Sequence, residues 1–273
     1  MPASVRQLIR SGGWTGPTAT LGRGWAQANL VIVPRAAARD FAGFCFRNPR
    51  PCPLLDITDP GVPSPMRAAP AADLRTDLPR YRVYRRGELI DEPTSIVQYW
   101  NDELVGFLIG CSFTFEQALL DAGIRLKHLE AGRNVAMYRT SIPTKPSGPF
   151  GGELVVSMRP VPSEQVARVM SVCSRYIAAH GAPITTGDPA RLGVRDIDCP
   201  DFGDPISIDQ GEEPMFWACG VTAELAVASA NLDLCITHAP GHMFITDWPG
   251  EQGAETLLAA DDPVVAELET WSS

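Results

Sequence analysis

The sequence lacks the cysteine and apolar patterns of metal ribbons, redox dithiols and membrane proteins. Seven cysteines are present, but no pair has Cys-x-x-Cys spacing, so neither a zinc ribbon nor a redox dithiol is indicated. No apolar run approaches the roughly 18–20 residues that cross a bilayer, and the N-terminus has no apolar signal segment. These absences predict a cytoplasmic protein with reduced thiols and no membrane partner.

Cofactor motifs and basic runs are missing as well. No Gly-x-Gly-x-x-Gly, P-loop or Gly-x-Ser-x-Gly sequence occurs, and only four histidines are present, so we expect no cofactor and no metal. The net charge is −9 and no basic run offsets it, which argues against a nucleic-acid partner. A small carboxylate substrate is compatible with this charge where local positive groups override the global field.

Apolar runs alternate with amphipathic segments, which is typical of an α/β protein. Predicted strands lie at 30–33, 104–110, 154–158, 183–186, 215–219, 234–237 and 244–247. Predicted helices lie at 35–46, 113–120, 163–180 and from 222 onward. We predict a mixed sheet layered with helices in a main domain (1–140 and 213–273), with a smaller inserted α+β subdomain at 141–212. No internal repeat is apparent, and a homo-oligomer is compatible with the sequence.

At two places a predicted strand ends in a cysteine and a helix begins at once. These are Cys111-Ser112 and Cys219, which is followed by Gly220-Val221-Thr222. A helix N-terminus can bind a carboxylate, and its field favours the thiolate of a nearby cysteine. The alternative is that Ser112 and Thr222 only cap their helices while the cysteines are buried hydrophobic residues.

Two of the four histidines flank a predicted turn, in His238-Ala239-Pro240-Gly241-His242. Proline and glycine exclude a helix here and suit a type II turn. If the flanking strands pair through a two-residue turn, His238 and His242 project to opposite faces, which disfavours a shared metal. Either histidine could act as a general acid or base, or one of them could hold the loop by hydrogen bonds.

Other polar residues are weaker candidates for binding a substrate. His180 continues the apolar stripe of its helix beside a C-terminal cap, where the helix dipole favours its protonated form. Asp188 precedes a proline and is a turn former first and a base second. The remaining candidates are a cation with a neighbouring amide or phenol, at Arg47, Asn134, Tyr138 and Arg139.

Taken together, these segments resemble a family of bacterial proteins labelled hydro-lyases, which are related to the cyclase domain of mitochondrial D-glutamate cyclase. The matching segments are 16–19, 27–30, 44–49, 52–55, 110–116, 134–138, 180–183, 187–189, 216–222 and 237–243. They cover nearly the whole chain. The resemblance implies a carbon–oxygen lyase, and the cyclase relative closes D-glutamate to 5-oxo-D-proline with loss of water.

Cyclisation requires grips for carboxylates, a base for the amine and donors for the developing oxyanion. The helix N-termini at Ser112 and Thr222, with Arg47 or Arg139, could be the grips. His238 or His242 could be the base, Asn134 or Tyr138 the donor, and Glu116 a reserve acid, while His180 and Asp188 are further binding candidates. Two alternatives stay open: a cofactor-independent racemase or epimerase that uses Cys111 and Cys219, and a non-catalytic protein that binds small acids.

Overall fold

The computed structural model describes residues 1–251, 254–268 and 270, and contains two antiparallel sheets. The strands of the first sheet are β1 (Trp25–Pro34), β2 (Leu54–Ile57), β3 (Tyr81–Arg85), β4 (Glu88–Asp91), β5 (Leu104–Gly110), β10 (Cys235–His238) and β11 (Phe244–Pro249). Their order is β2-β5-β1-β10-β3-β4, and β11 also pairs with β1. The second sheet consists of β6 (Ala136–Pro143), β7 (Glu153–Pro162), β8 (Thr185–Thr186) and β9 (Glu212–Ala218), in the order β6-β7-β9-β8.

Helices cover the sheets and bury strands on both faces. They are α1 (Pro2–Arg10), α2 (Arg35–Arg47), α3 (Phe113–Asp121), α4 (Lys127–Glu130), α5 (Val166–Cys173), α6 (Val221–Ser229) and α7 (Pro263–Glu267). Alternate side chains of β1 enter different cores: Leu30 and Ile32 lie in one and Val31 and Val33 in the other. Burial on both faces explains why this strand is almost continuously apolar.

The predicted α/β class is confirmed, but the helix predicted at 163–180 is wrong in length. Its α-helical part, α5, ends at Cys173, and only a 3₁₀ turn at Ile177–Ala179 follows. His180 has a φ of 76°, which cannot continue a right-handed helix. The apolar stripe misled the prediction because Tyr176 and Ala179 enter the same core as α5 without being α-helical. The domain division at 141–212 stays a prediction.

The helices α3 and α6 each leave one sheet and pack on the other. Helix α3 follows β5 of the first sheet, but its Phe115 and Leu119 lie in a core with Trp217 of the second sheet. Helix α6 follows β9 of the second sheet, but its Val227 lies in a core with Phe107 of the first. The two helices therefore cross between the sheets.

Two motifs occur twice in the chain and make the same contacts each time. Cys-x-x-Thr-x-Glu stands at 111–116 and at 219–224. Thr114 Oγ1 accepts a hydrogen bond from the backbone N–H of Gln27 at 3.0 Å, and Thr222 Oγ1 accepts one from Val155 at 2.9 Å. The N–H of Cys111 donates to the Gln27 carbonyl and that of Cys219 to the Val155 carbonyl.

The second motif is Met-aromatic-x-Thr-x-x-Pro, at 137–143 and at 243–249. Thr140 Oγ1 donates to the Leu154 carbonyl at 2.8 Å, and Thr246 Oγ1 donates to the Ala26 carbonyl at 2.9 Å. Leu154 directly precedes Val155, which Thr222 contacts, and Ala26 directly precedes Gln27, which Thr114 contacts. The expectation that the chain has no internal repeat is therefore wrong.

The two repeats exchange their last strands. The first repeat (residues 25–143) contributes β1, β5, α3 and β6 in order, and the second repeat (residues 153–249) contributes β7, β9, α6 and β11. Strand β6 pairs with β7 in the second sheet, whereas β11 pairs with β1 in the first. The chain is thus a duplication whose halves are interlocked.

Candidate active site

The N-termini of α3 and α6 border a narrow pocket with a cavity volume of about 20 Å³. Its walls come in equivalent pairs from the two repeats: Cys111 with Cys219, Phe113 with Val221, Met137 with Met243, and Val135 with Gly241. Ser112 and Asn134 add polar groups on the side of the first repeat. Asn29 and His238 also line the pocket and have no polar counterpart across it, so they make it chemically asymmetric.

His238 enters the pocket because β10 and β11 lie on successive parts of the same edge of β1. The loop between them turns at Pro240 and Gly241. Gly241 has a φ of 82°, and the N–H of His242 donates to the Ala239 carbonyl at 2.9 Å, so the predicted turn is confirmed. His242 instead contacts the Pro240 carbonyl through Nδ1 at 2.9 Å and does not line the pocket.

The ring of His238 is fully buried, and three oxygen atoms surround its nitrogens. Nδ1 lies 2.7 Å from the Ala239 carbonyl, and Nε2 lies 3.0 Å from Asn29 Oδ1 and 2.9 Å from Glu224 Oε1. The orientation of the Asn29 amide is set by its Nδ2, which donates to the Ile109 and Gly110 carbonyls. Both ring contacts to neutral oxygens can be hydrogen bonds only if both nitrogens carry hydrogen.

Glu224 is the charge partner of His238, and sequence reasoning missed it. The carboxylate is 5 % exposed and lies in the first turn of α6. Although Oε1 is close to His238 Nε2, that N–H points to Asn29, and Oε1 has no hydrogen bond within the described part of the chain. The signal that could have found it is the repeated Cys-x-x-Thr-x-Glu motif, in which Glu224 corresponds to Glu116.

Glu116 lies in an equivalent place in α3 but has different partners. Arg159, itself 1 % exposed, donates to Glu116 Oε1 from both Nε and Nη2, and His128 Nε2 lies 3.0 Å from the same oxygen. Burial raises the pKa of Glu116, but the charges of His128 and Arg159 outweigh it and lower the pKa to about 2. The carboxyl is therefore ionised and already paired, which argues against the reserve acid that we expected.

Arg159 connects this buried cluster to the pocket. Its guanidinium carbon lies 5.2 Å from the ring centres of both Phe115 and Trp217, a cation–π arrangement that holds it in place. Its Nη2 also donates to Ser112 Oγ at 3.1 Å. Arg159 and His128 were not among the candidates from the sequence, because neither belongs to a recognisable motif.

Both pocket cysteines are thiols and not the thiolates that their helix positions suggested. Burial raises the pKa of Cys219 to about 12, although the backbone N–H of Val221 donates to its sulfur and lowers it. Burial likewise raises the pKa of Cys111, against the N–H of Phe113. Desolvation of the charged form therefore outweighs the field of the helix N-terminus at both positions.

The other predicted residues lie outside the pocket. Thr222 holds the Val155 backbone, and Asp188 caps the 3₁₀ turn at Pro189–Leu192. His180 contacts the Arg50 carbonyl, and burial lowers its pKa to about 4, so it is neutral, contrary to the dipole argument.

Tyr138 is buried, and its hydroxyl donates to the Ile197 carbonyl. Arg139 is exposed over the ring of Phe202, and Arg47 is exposed at the end of α2. The structure therefore unites Cys111, Ser112, Asn134, Cys219 and His238 in one pocket. It leaves the remaining candidates elsewhere.

Within residues 1–251, 254–268 and 270, no group of three or more His, Cys, Asp or Glu side chains is placed to hold a metal ion. In the same residues, no helix has both the length and the apolar character to span a membrane. The cytoplasmic location and the homo-oligomer stay predictions.

The fold and the pocket define a class: a duplicated α/β protein whose two halves meet at one narrow, mostly apolar pocket with a few polar groups. The family model described as D-glutamate cyclase matches residues 105–247, and the chain belongs to this family. A protein of Rubrobacter xylanophilus named "Putative hydro-lyase" is 58 % identical over 90 % of this chain and 95 % of its own length. Its namesake in Stutzerimonas stutzeri is 56 % identical over 92 % and 95 %.

A third relative, "Putative hydro-lyase YcsI" of Bacillus subtilis, is 54 % identical over 90 % of this chain and 96 % of its own. Among solved structures, a nitrogen repressor-like protein of Methanococcus jannaschii matches 85 % of this chain and 89 % of its own. It does so with a TM-score of 0.39 and 8 % identity. That similarity carries no argument about the chain.

Proposed function

We propose that the protein is a hydro-lyase that closes a small amino dicarboxylate, D-glutamate, to 5-oxo-D-proline with loss of water. The observation that carries this proposal is the convergence of two helix N-termini on one pocket that also holds His238. The positive ends of two helix dipoles suit a substrate with two carboxylates. Membership of the D-glutamate cyclase family supports the reaction class.

Each carboxylate is bound by donors and not by surface arginines. The positive dipole ends of α3 and α6 border the pocket, and Ser112 and Asn134 line it with polar groups. Because both pocket cysteines keep their protons, they add weak donors and no negative charge. A chain of net charge −9 can therefore bind an anion at this place.

The reaction moves two protons from nitrogen to oxygen. The substrate ammonium loses both as its nitrogen forms the bond to the side-chain carboxyl carbon. One carboxyl oxygen takes them up as its bond to that carbon breaks, and it leaves as water. His238 is the pocket group that can give a proton to this oxygen and take one from the nitrogen.

The test is to incubate the purified protein with D- and L-glutamate and follow 5-oxoproline by chromatography with mass detection. With the wild-type protein we expect product from the D-isomer, and with the His238→Gln protein we expect far less product from it. Absence of product from both isomers with the wild-type protein would refute the proposed substrate. Stabilisation by glutamate without product would favour the binding protein instead.

A racemase or epimerase is the second candidate, since Cys111 and Cys219 are equivalent positions of the two repeats on one pocket. Such an enzyme removes the proton at Cα with one thiolate and returns one from the opposite thiol. It predicts uptake of solvent deuterium at Cα and inactivity of both Cys→Ala variants. The raised pKa of both thiols weighs against it.

A further inference from the structure

We infer that the duplicated site has divided its work: the Glu224–His238 half transfers protons, and the Glu116–Arg159–Ser112 half holds a substrate carboxylate. Glu224 is then a positioning residue that acts through His238, and Arg159 is a positioning residue that acts through Ser112. The inference rests on the proposed function and assigns roles within the same pocket.

The two halves share a motif but differ in the cation beside the glutamate. Glu116 and Glu224 are equivalent and both are at least 95 % buried. Each has one oxygen without a hydrogen bond in the residues that the structure describes, Oε2 in Glu116 and Oε1 in Glu224. Glu116 is paired to the Arg159 guanidinium and to the His128 imidazole, neither of which lines the pocket, whereas Glu224 is paired to the His238 imidazole, which does.

The strand residues that face the two glutamates differ in size and polarity between the repeats. By the register of the two sheets, Arg159 on β7 corresponds to Val31 on β1, and Asn29 on β1 corresponds to Ser157 on β7. A Cβ at Gly220 would lie 2.2 Å from Asn29 Nδ2, so the small residue at the start of α6 lets Asn29 reach His238. Its equivalent, Ser112, keeps a hydroxyl.

These cations differ in the chemistry they allow. A guanidinium keeps its proton at any working pH, so Arg159 supplies a fixed charge, and the His128 imidazole of the same half does not line the pocket. An imidazole can give and take one near neutral pH. Only the His238 half can therefore move a proton between the substrate nitrogen and the departing oxygen.

Arg159 also fixes the direction of the Ser112 hydroxyl. Because Ser112 Oγ accepts from Arg159 Nη2 at 3.1 Å, its own hydrogen is free to point into the pocket that it lines. An oriented hydroxyl backed by a buried cation is a strong donor to a carboxylate. Among the described residues that line this side of the pocket there is no histidine and no acid.

Several titratable groups surround the Glu224–His238 pair. Cys219 is close to Glu224 on α6, Arg82 and Tyr84 approach it from β3, and His242 follows His238 after the turn. Arg82 is already paired to Glu92. Asn29 and the Ala239 carbonyl complete the contacts of the ring.

The experiment compares Glu224→Gln with Ser112→Ala, using steady-state turnover of D-glutamate over a range of pH. Ser112→Ala is chosen because it removes the pocket donor and leaves the buried Glu116–Arg159 pair intact. We expect Glu224→Gln to lower kcat about 100-fold or more, with KM changed less than threefold, and to alter the pH profile of kcat. We expect Ser112→Ala to raise KM about tenfold with kcat nearly unchanged.

A second readout does not depend on turnover. Nitrogen-15 NMR of labelled histidine, with His238 assigned by comparison with the His238→Gln protein, reports which ring nitrogens carry hydrogen. We expect hydrogen on both nitrogens of His238 at neutral pH in the wild type, and on one nitrogen in Glu224→Gln.

The division of work is refuted if the two variants change kcat and KM alike, or if Glu224→Gln leaves the pH profile of kcat unchanged. It is equally refuted if His238 has one hydrogen in the wild type or keeps both in Glu224→Gln. If the wild type makes no 5-oxoproline, the proposed function fails by itself, and the NMR result still decides whether the pair exists as inferred.

Discussion

The two glutamate sites of the molecule begin from the same motif and end in different chemistry. Glu116 lies in a closed cluster with a permanent cation, outside the pocket lining, and its pKa falls to about 2. Glu224 lies against an imidazole that does line the pocket. The comparison shows that the motif sets the position of the carboxylate, whereas the residue opposite sets what it can do.

The largest effect is expected at the imidazole itself. His238→Gln should lower kcat for D-glutamate by about 10³-fold, because it removes the only histidine in the described pocket lining. The side chain stays able to hydrogen-bond Asn29, so circular dichroism and thermal unfolding should show a folded protein. His242→Gln is the matched control, since it lies four residues away and outside the pocket, and should keep kcat within about threefold. Equal losses in both variants would contradict the assignment.

At the other glutamate, the expected loss is of stability. Arg159→Met removes the guanidinium beside Glu116 and should lower the free energy of unfolding by about 3–5 kcal/mol, since a buried carboxylate loses one of its two charged partners. The double variant Glu116→Gln/Arg159→Met should recover much of this loss, because the buried carboxylate is then absent. Urea unfolding of the three proteins measures both effects. A double variant as unstable as the single one would show that packing against Phe115 and Trp217 outweighs the charge.

The paired threonines should behave alike if the repeats are structurally equivalent. Thr114→Val and Thr222→Val each leave one buried backbone N–H without its acceptor, that of Gln27 or of Val155. Each should cost about 1–3 kcal/mol of unfolding free energy. Urea midpoints compare them directly. If the losses of unfolding free energy in the two variants differ by more than about 2 kcal/mol, the width of the expected range, the repeats are not structurally equivalent.

The smallest effect is expected at the paired cysteines. With a pKa of about 12, Cys219 is roughly one part in 10⁴ thiolate at pH 8, and its reaction with iodoacetamide should increase only as the pH rises towards that value. In the native protein at pH 8, mass spectrometry should find alkylation at the exposed Cys199 and not at Cys111 or Cys219. Cys111→Ala and Cys219→Ala should retain turnover within about tenfold. Inactivity of both would favour the racemase.

Local patterns predicted most of the elements that carry the pocket, but not β6, which carries Met137, and not how the elements meet. The strand-to-helix junctions at Cys111 and Cys219 and the turn at Pro240-Gly241 were readable, because each depends on neighbouring residues. The helix α1 and the strands β3 and β4 were missed, because they lack a clear apolar period.

Contacts between residues far apart in the sequence could not be predicted from local patterns in the same way. Arg159 and His128 meet Glu116 only through the crossing of α3 onto the second sheet. The raised thiol pKa values depend on burial, which the motif does not show. The repeat was overlooked because only a few positions in each motif match, and the loops between equivalent strands differ in length.

The exchange of β6 and β11 has a consequence for how the protein is made. On its way out of the ribosome the chain presents β1 long before its partners β10 and β11, which end at Pro249. Until then one edge of a strongly apolar strand lacks its neighbours, and such edges promote aggregation. Stalled or truncated synthesis before residue 235 would therefore yield an insoluble fragment, not a half-sized functional unit.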